Sequence, residues 1–208
     1  PVWRADRPQK GRYREFYQCD ADFVGTESLL CEAEILAMIS EVFSLLGIEE
    51  YSILLNSRKV LDEISAEFEI NKTSEFLTIL DKLDKIGKEK MLEEFLGLSY
   101  TEKQLNKIEA LVDLEGDNHA LIESLASLLG DKHSSGLKDL SEILELAKKL
   151  QVEKNIKISP TLARGLGYYT GAILEVKINN VKIGSVSGGG RYDKLTDNFG
   201  LPGVSGVG

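Results

Sequence analysis

The sequence predicts an α+β fold in which a strand-rich part is split by an all-helical insertion. Strand periodicity is confined to the two ends of the chain, whereas nearly all of the sequence between residues 59 and 152 has helical periodicity. The 208 residues, of which 42% are hydrophobic and 28% charged, have the composition of an ordinary globular protein. We therefore expect a strand-rich core at residues 1–58 and 153–208, interrupted by a helical domain at residues 59–152.

The chain opens with two predicted strands. The letters VWRA are strand-like, RPQKGRYR is a polar connection, and residues 16–24 alternate as in a half-buried strand. The expected result is an antiparallel pair joined by a long loop. One face of the second strand is predicted to be core and the other to face solvent or line a cleft. The first face carries Tyr17, Cys19, Ala21 and Phe23, and the second carries Phe16, Gln18, Asp20 and Asp22.

The remaining elements follow from apolar spacing and from capping residues. Thr26 can cap a helix that begins near Glu27 and ends before Gly47, after which YSILLN is a strand. Short amphipathic helices separated by glycines then continue to about Gln151. IKIS, YYTGAILEVKI and VKIGSVSGGG are predicted strands, with a tight hairpin turn at Asn179 and Asn180.

Charge and composition exclude several classes of protein. A net charge of −9 argues against indiscriminate binding to nucleic acid or to anionic membranes. No run approaches the roughly 18 apolar residues of a membrane span, and no charged-then-apolar leader is present, so we expect a cytoplasmic protein that does not bind membranes. Cys19 and Cys31 lack CxxC spacing, and His119 and His133 stand apart from other ligand types, so no disulfide or metal site is expected.

Basic side chains are concentrated at the start of this acidic chain: Arg4, Arg7, Lys10, Arg12 and Arg14. The ordinary interpretation is a solvated charged turn. The alternative is phosphate binding, because guanidinium groups match phosphate oxygens and several on one loop can close over a polyphosphate or a nucleic-acid end. Arg4 favours the alternative, since an unpaired guanidinium inside an apolar strand would be costly.

Two later stretches carry further candidates. LARGLGYYTGAILEV places Arg164 ahead of Tyr168 and Tyr169, where an arginine can meet phosphate charge and hydroxyls can orient polar groups. The same letters also fit a strand edge with aromatic core residues. SGGGRYDKL can cradle phosphate, but it is a weak nucleotide motif because it is neither a Walker loop nor GxGxxG.

In combination these stretches resemble a known family. RADRPQKGRYREFYQCDADFVG, ARGLGYYTGAILEV and SGGGRYDKL, in that order, are similar to motif 2, the histidine-binding signature and the following glycine-rich segment of the histidine-specific class II aminoacyl-tRNA synthetases. The likeness covers nearly the whole chain, helical insertion included. It implies part of a class II catalytic core, built on an antiparallel sheet and running from motif 2 to just before motif 3.

The resemblance also implies roles for individual residues. Arg4 and Arg164, the two catalytic candidates, would grip the α-phosphate of ATP from opposite sides and also contact the substrate histidine. The histidine pocket would further contain Gln18, Asp22, Tyr168 and Tyr169. ATP would also meet Asp6, Arg12 and Phe16, the last by stacking on adenine, and the acceptor end of tRNA would meet Arg7, Lys10, Arg12 and Arg14.

The implied activity is that of a histidine–tRNA ligase. Histidine attacks the α-phosphate of ATP, pyrophosphate leaves, and the histidyl group of the adenylate passes to the 3′ end of tRNA-His. Two arginines beside the phosphorus would stabilise the charge on its oxygens. Mg²⁺ would accompany the β- and γ-phosphates without a dedicated protein cage. The implied partners are L-histidine, ATP, tRNA-His and, in the full-length protein, a second copy.

Departures from the family pattern define the alternatives. Gly167 stands where the family commonly has an acidic residue, and motif 1, motif 3 and an anticodon-binding domain are absent. Both ends look cut, so we expect part of a catalytic domain that is inactive alone. The alternative function is a non-catalytic, synthetase-like regulatory subunit that senses histidine in histidine biosynthesis, although such a subunit has no need of the arginine-rich loop. A helical interaction module would leave the strand-borne arginines unexplained.

Overall fold

The computed structural model describes residues 1–130, 133–164 and 167–208. The first part consists of β1 (Val2–Trp3), β2 (Glu15–Phe16), β3 (Phe23–Val24), α1 (Leu30–Leu45) and β4 (Tyr51–Ser57). A run of helices follows: α2 (Arg58–Glu67), α3 (Thr73–Leu80), α4 (Leu83–Ile86), α5 (Lys88–Gly97), α6 (Glu102–Val112), α7 (Asn118–Leu128) and α8 (Ser135–Lys149). The last part contains β5 (Ile156–Ile158), β6 (Ala172–Ile178), β7 (Ser187–Gly190) and β8 (Gly206–Val207), with 3-10 turns at Glu153–Asn155 and Thr196–Phe199.

A four-stranded sheet in the order β5-β4-β6-β7 forms the centre of the molecule. β4 and β6 pair antiparallel along their whole length, from Tyr51 opposite Ile178 to Ser57 opposite Ala172, and β6 pairs antiparallel with β7. β4 and β5 are instead parallel. Parallel neighbours require a crossover connection, which the helices between β4 and β5 supply. The α+β expectation is confirmed, and the sheet is antiparallel except for this one pair.

The helices share one apolar core with the sheet. α8 packs on α1, α2 and β4, and its Gly136 lies so close to α2 that a Cβ there would be 2.7 Å from the backbone nitrogen of Val60. The fully buried residues Phe76, Phe95 and Ile108 continue the same core into α3, α5 and α6. Side-chain caps by Ser57, Thr101, Asp117 and Ser134 open α2, α6, α7 and α8 by accepting hydrogen bonds from backbone N–H groups of the first turn.

Two local predictions for the first segment are wrong. Residues 17–22 form no strand, and the expected core face of Tyr17, Cys19, Ala21 and Phe23 is exposed. β2 pairs with β1 and β3 pairs with β8, but no described strand pairs with residues 17–22, so no sheet surface forms there to bury alternate side chains. α1 begins at Leu30 rather than near Glu27, because the hydroxyls of Thr26 and Ser28 accept the N–H groups of Ser28 and Leu30 in two successive turns.

The connection between β6 and β7 is longer than a tight hairpin turn. Residues 179–186 join the two strands, so the turn predicted at Asn179 and Asn180 is only the start of a loop. Asn179 is tied back toward β4, because its backbone N–H donates to Glu50 O and its side chain accepts from Ser52 Oγ at 3.1 Å. In the ranges that the structure describes, no helix is long and apolar enough to cross a membrane.

Candidate functional site

The arginine-rich segment is a closed hairpin. β1 and β2 pair antiparallel, as expected, and the pairing continues as Arg4 N–H donates to Arg14 O and Gln9 and Arg12 bond to each other through their backbones. Gly11 takes a φ of +76°, the left-handed conformation that this tip requires and that favours glycine. A Cβ on Gly11 would lie 3.5 Å from Ile183, so the tip rests against the β6–β7 connection.

Acidic and basic groups pair along this hairpin while staying in solvent. Arg12 Nε donates to Asp6 Oδ2 at 3.0 Å, and Arg14 Nε donates to the carbonyl of Asp6 at 3.2 Å. The side chain of Arg12 remains 55% exposed, and Arg7 and Lys10 are exposed as well. The hairpin therefore presents several cations to solvent.

Arg4, Phe16 and Gln18 form the first group of candidate residues. The Arg4 guanidinium lies 5.1 Å from the Phe16 ring centroid, and its Nη2 donates to Gln18 Oε1 at 3.1 Å. Gln18 Nε2 in turn donates to Asp20 Oδ1 at 2.7 Å. Arg4 follows β1 and is exposed, so it does not sit in the apolar strand that the sequence suggested.

Asp22 belongs to a second group, together with the tyrosines. Tyr192 OH donates to Asp22 Oδ1. Tyr169 is 7% exposed, its ring centroid lies 4.6 Å from that of Tyr168, and a Cβ added to Gly190 would be 2.8 Å from its ring. Antiparallel pairing of β3 with β8 brings Asp22 to this place, beside Gly208.

Two phenols of this group, Tyr169 and Tyr192, have raised pKa values. Burial, followed by a hydrogen bond with Tyr168, raises the pKa of Tyr169 from 10.0 to about 12. The pKa of Tyr192 is also raised, first by burial and then by its hydrogen bond to Asp22. Because a protonated phenol can donate, the cluster can offer hydroxyl donors beside the Asp22 carboxylate at neutral pH.

Arg164 lies against the sheet. Its Nη1 donates to Leu174 O at 3.2 Å and is 3.9 Å from Glu175 Oε2, and its guanidinium is 6.0 Å from the Tyr169 ring centroid. Among the described residues, no hydrogen-bond acceptor reaches its buried Nε. Gly165 and Leu166 of the predicted signature lie outside the described residues, and no described residue beyond the chain neighbours of Gly167 comes within 4 Å of its Cβ position.

A buried ion pair that the sequence did not predict joins α1 to the end of β7. Arg191 and Glu32 are 4% and 1% exposed, and Arg191 Nε and Nη2 donate to the two Glu32 oxygens at 2.5 and 2.7 Å. Burial alone would lower the pKa of Arg191, but hydrogen bonds and charge from Glu32 and Asp193 outweigh it and raise that pKa. The available signal was an acid, Glu32, set among the apolar residues of α1.

Solved structures identify the class of this fold. The chain superposes on histidyl-tRNA synthetase from Nostoc sp. with a TM-score of 0.83 at 29% identity, over 89% of this chain and 46% of that one. It also superposes, with a TM-score of 0.73 at 19% identity, on a Bacillus halodurans protein described as an ATP phosphoribosyltransferase regulatory subunit/histidyl-tRNA synthetase. The fold is the α+β core of a class II aminoacyl-tRNA synthetase.

Sequence comparison narrows the class to a family. A sequence model described as histidyl-tRNA synthetase matches residues 1–208. The histidine–tRNA ligases of Cytophaga hutchinsonii and Porphyromonas gingivalis are 52% and 46% identical over the whole of this chain. The chain belongs to the histidyl-tRNA synthetase family. It spans about half the length of these curated relatives, 47% and 46% respectively.

Proposed function

We propose that the full-length protein containing this chain is a histidine–tRNA ligase, which activates L-histidine with ATP and transfers it to the 3′ end of tRNA-His. The observation that carries the proposal is the placement of Asp22 within hydrogen-bond reach of Tyr192, in the cluster that also holds Tyr168 and Tyr169. Family membership over the whole chain supports it independently.

The tyrosine cluster is the proposed histidine pocket. The Asp22 carboxylate can accept a hydrogen bond from an imidazole N–H, and the hydroxyls of Tyr168 and Tyr169 can hold the ring in one orientation. Gln18, whose amide is oriented by Arg4 and Asp20, is proposed to hold the α-amino group through its carbonyl oxygen.

The arginines are the proposed phosphate and tRNA contacts. Arg4 and Arg164 would flank the α-phosphate and stabilise the charge that builds on its oxygens as the histidine carboxylate attacks and pyrophosphate leaves. Phe16 would stack on adenine, and Asp6 would hold Arg12 against ATP. The exposed loop cations Arg7, Lys10, Arg12 and Arg14 would meet the acceptor end of tRNA.

Mg²⁺ fits this proposal as an ion brought by the nucleotide. In the part of the chain that the structure describes, no group of three or more histidine, cysteine or carboxylate side chains is placed to bind a metal. In the proposal, ATP phosphate oxygens are the main ligands, and the ion neutralises charge on the β- and γ-phosphates.

Three further properties are part of the proposal. The full-length protein would be a cytoplasmic homodimer. Residues 59–152 would act as an inserted helical domain between the catalytic segments 1–58 and 153–208.

Histidine-dependent ATP–pyrophosphate exchange by the full-length protein tests the proposed function. We expect exchange with L-histidine and aminoacylation of tRNA-His. Asp22→Asn removes the carboxylate charge with little change of shape and should raise the KM for histidine by about 10- to 100-fold, since a hydrogen bond to a charged group contributes about 1.5 to 3 kcal/mol. Glu27→Gln, at an exposed carboxylate five residues along the chain, is the matched control.

The regulatory-subunit alternative gives a different result. Such a protein would bind histidine in calorimetric titration without catalysing exchange, and that outcome would overturn the ligase proposal. Exchange that does not depend on histidine would overturn the proposed pocket.

A further inference from the structure

Four charged side chains form a line that connects Arg164 with the helical run. Arg164 Nη1 is 3.9 Å from Glu175 Oε2, the other Glu175 oxygen is 3.7 Å from Lys177 Nζ, and Lys177 pairs with Asp84 on α4. We propose that Glu175 is a positioning residue that orients Arg164, and that the Lys177–Asp84 ion pair couples this orientation to the position of α4. The inference rests on the proposed function only in taking Arg164 as a phosphate contact.

The register of β6 and β7 makes room for this arrangement. Glu175 lies directly opposite Gly188, so the two residues share one face of the sheet. A Cβ on Gly188 would be 1.7 Å from Arg164 Nη1. The guanidinium therefore lies across β7 at Gly188, a position without a side chain, and from there it reaches Leu174 O and the Glu175 carboxylate.

Partial burial strengthens the electrostatic attraction between Arg164 and Glu175. The side chains of Arg164 and Glu175 are 22% and 19% exposed, so solvent screens their attraction less than it screens the hairpin pairs. A 3.9 Å separation is too long for a direct hydrogen bond, which leaves Leu174 O as the geometric anchor of Nη1 and Glu175 as the source of charge. Loss of the charge should therefore loosen the guanidinium without unfolding the strand.

Lys177 extends the line out of the sheet. It lies two residues from Glu175 on the same strand, hence on the same face, and Asp84 reaches it from the helical run. Each Glu175 oxygen thus faces one cation, and Asp84 balances the second. If α4 moved away, Lys177 would be drawn more strongly to Glu175 and would compete with Arg164 for it.

Steady-state ATP–pyrophosphate exchange by the full-length protein is the first test. We expect Glu175→Gln to lower kcat by about 10-fold with little change in the KM for histidine, since small misplacements of a catalytic group have effects of up to about 100-fold. Glu175→Asp, which keeps the charge, should recover part of the loss. Gly188→Ala should have the largest effect, about 100-fold, because its Cβ would occupy the guanidinium position.

Matched variants separate positioning from folding. Gly184→Ala lies in the β6–β7 connection, four residues before Gly188, and no described residue beyond its chain neighbours comes within 4 Å of its Cβ position, so it should leave kcat unchanged. Asp84→Asn should lower kcat by about 3-fold and have no further effect in the Glu175→Gln background, because both changes act on one line of charges. Asp81→Asn, whose ion pair with Lys85 stays within the helical run, is the control for Asp84.

An NMR measurement tests the orientation of Arg164 independently of enzymatic activity. The Nε–Hε NMR resonance of Arg164, assigned through Arg164→Lys, should shift in Glu175→Gln and move in the same direction, by less, in Asp84→Asn. An unchanged resonance, or an unchanged kcat in an active Glu175→Gln protein, would overturn the inference. A wild-type protein without histidine-dependent exchange but with the expected NMR shifts would instead overturn the proposed function and leave the positioning role supported.

Discussion

Arg4 and Arg191 lie near opposite ends of the chain and differ in what surrounds them. Arg4 is exposed, donates from Nη2 to Gln18 and lies over the Phe16 ring. Arg191 is 4% exposed and makes five hydrogen bonds, one from Nε and two from each Nη, to Glu32, Asp193 and the carbonyls of Thr26 and Ser28.

The difference between the two arginines lies in how many of their N–H donors the protein itself uses. A guanidinium has five N–H donors, and in Arg191 all five are used within the protein. Arg4 keeps most of its donors directed to solvent, where a phosphate or carboxylate can reach them. The number of free N–H donors, rather than charge, therefore distinguishes Arg4, the proposed phosphate contact, from Arg191, which joins α1 to the end of β7.

The largest expected effect comes from breaking the buried pair. Glu32→Ala should lower the free energy of unfolding by about 3 to 5 kcal/mol, because it leaves the Arg191 charge buried without its partner. Urea unfolding followed by circular dichroism measures the change. Glu34→Ala, at an exposed carboxylate of the same helix, should change stability by less than about 0.5 kcal/mol. A Glu32 variant within 1 kcal/mol of the wild type would contradict the contrast drawn between the arginines.

An intermediate effect is expected at high pH from Tyr169, which is buried like Arg191 but lies in the proposed pocket. Its pKa is raised from 10.0 to about 12 in the folded state. At a pH below the pKa of Tyr169 in the unfolded state, the phenol is protonated in both states, and its contribution to the free energy of unfolding is fully present. As the pH rises toward and through the pKa of Tyr169 in the folded state, the unfolded state binds fewer protons than the folded state. The free energy of unfolding therefore falls, by up to about 3 kcal/mol from this group.

Tyr169→Phe isolates that contribution. The stability difference between wild type and variant should shrink as the pH rises from about 10 to about 12, since phenylalanine has no proton to lose. Unfolding in urea at several pH values measures it, and Tyr13→Phe, an exposed tyrosine, is the control. A difference that stays constant over this range would show that Tyr169 titrates as a solvent-exposed phenol.

The smallest effect on stability is expected in the arginine-rich hairpin. Arg12→Met breaks the ion pair with Asp6, but both side chains are partly in solvent, so we expect a loss of less than about 1 kcal/mol. The KM for ATP in the exchange reaction should nevertheless rise. A large loss of stability without any change in the KM for ATP would show that Arg12 has a structural role, like Arg191.

The sequence predicted those helices and strands whose own residues show a clear hydrophobic periodicity. The helical run, β4, β6 and the β1–β2 hairpin all have such patterns, and all are present. The strand expected at residues 17–22 is not formed. Alternating residues are compatible with a strand, but a strand also needs a neighbouring strand to which it can hydrogen-bond. Gly188 and Glu175 have no local signal either, since their relation depends on the register of β6 with β7.

The candidate site likewise combines features that local sequence patterns predict with contacts that they do not. Motifs supplied the candidate residues, whose roles are proposals. No motif predicted that Tyr192 would donate to Asp22, because that contact spans 170 positions and depends on β3 pairing with β8. Arg191 and Glu32 were missed for the same reason.

The separation of Glu32 from Arg191 also has a consequence in time. The two residues are 159 positions apart, and the whole helical run is made between them. At about 5 to 20 residues per second, a ribosome needs roughly 8 to 30 s to reach Arg191 after Glu32 has been synthesised. During that interval α1 carries a carboxylate whose permanent partner does not yet exist. Any packing that buries Glu32 before Arg191 emerges would therefore bury its carboxylate without this cation.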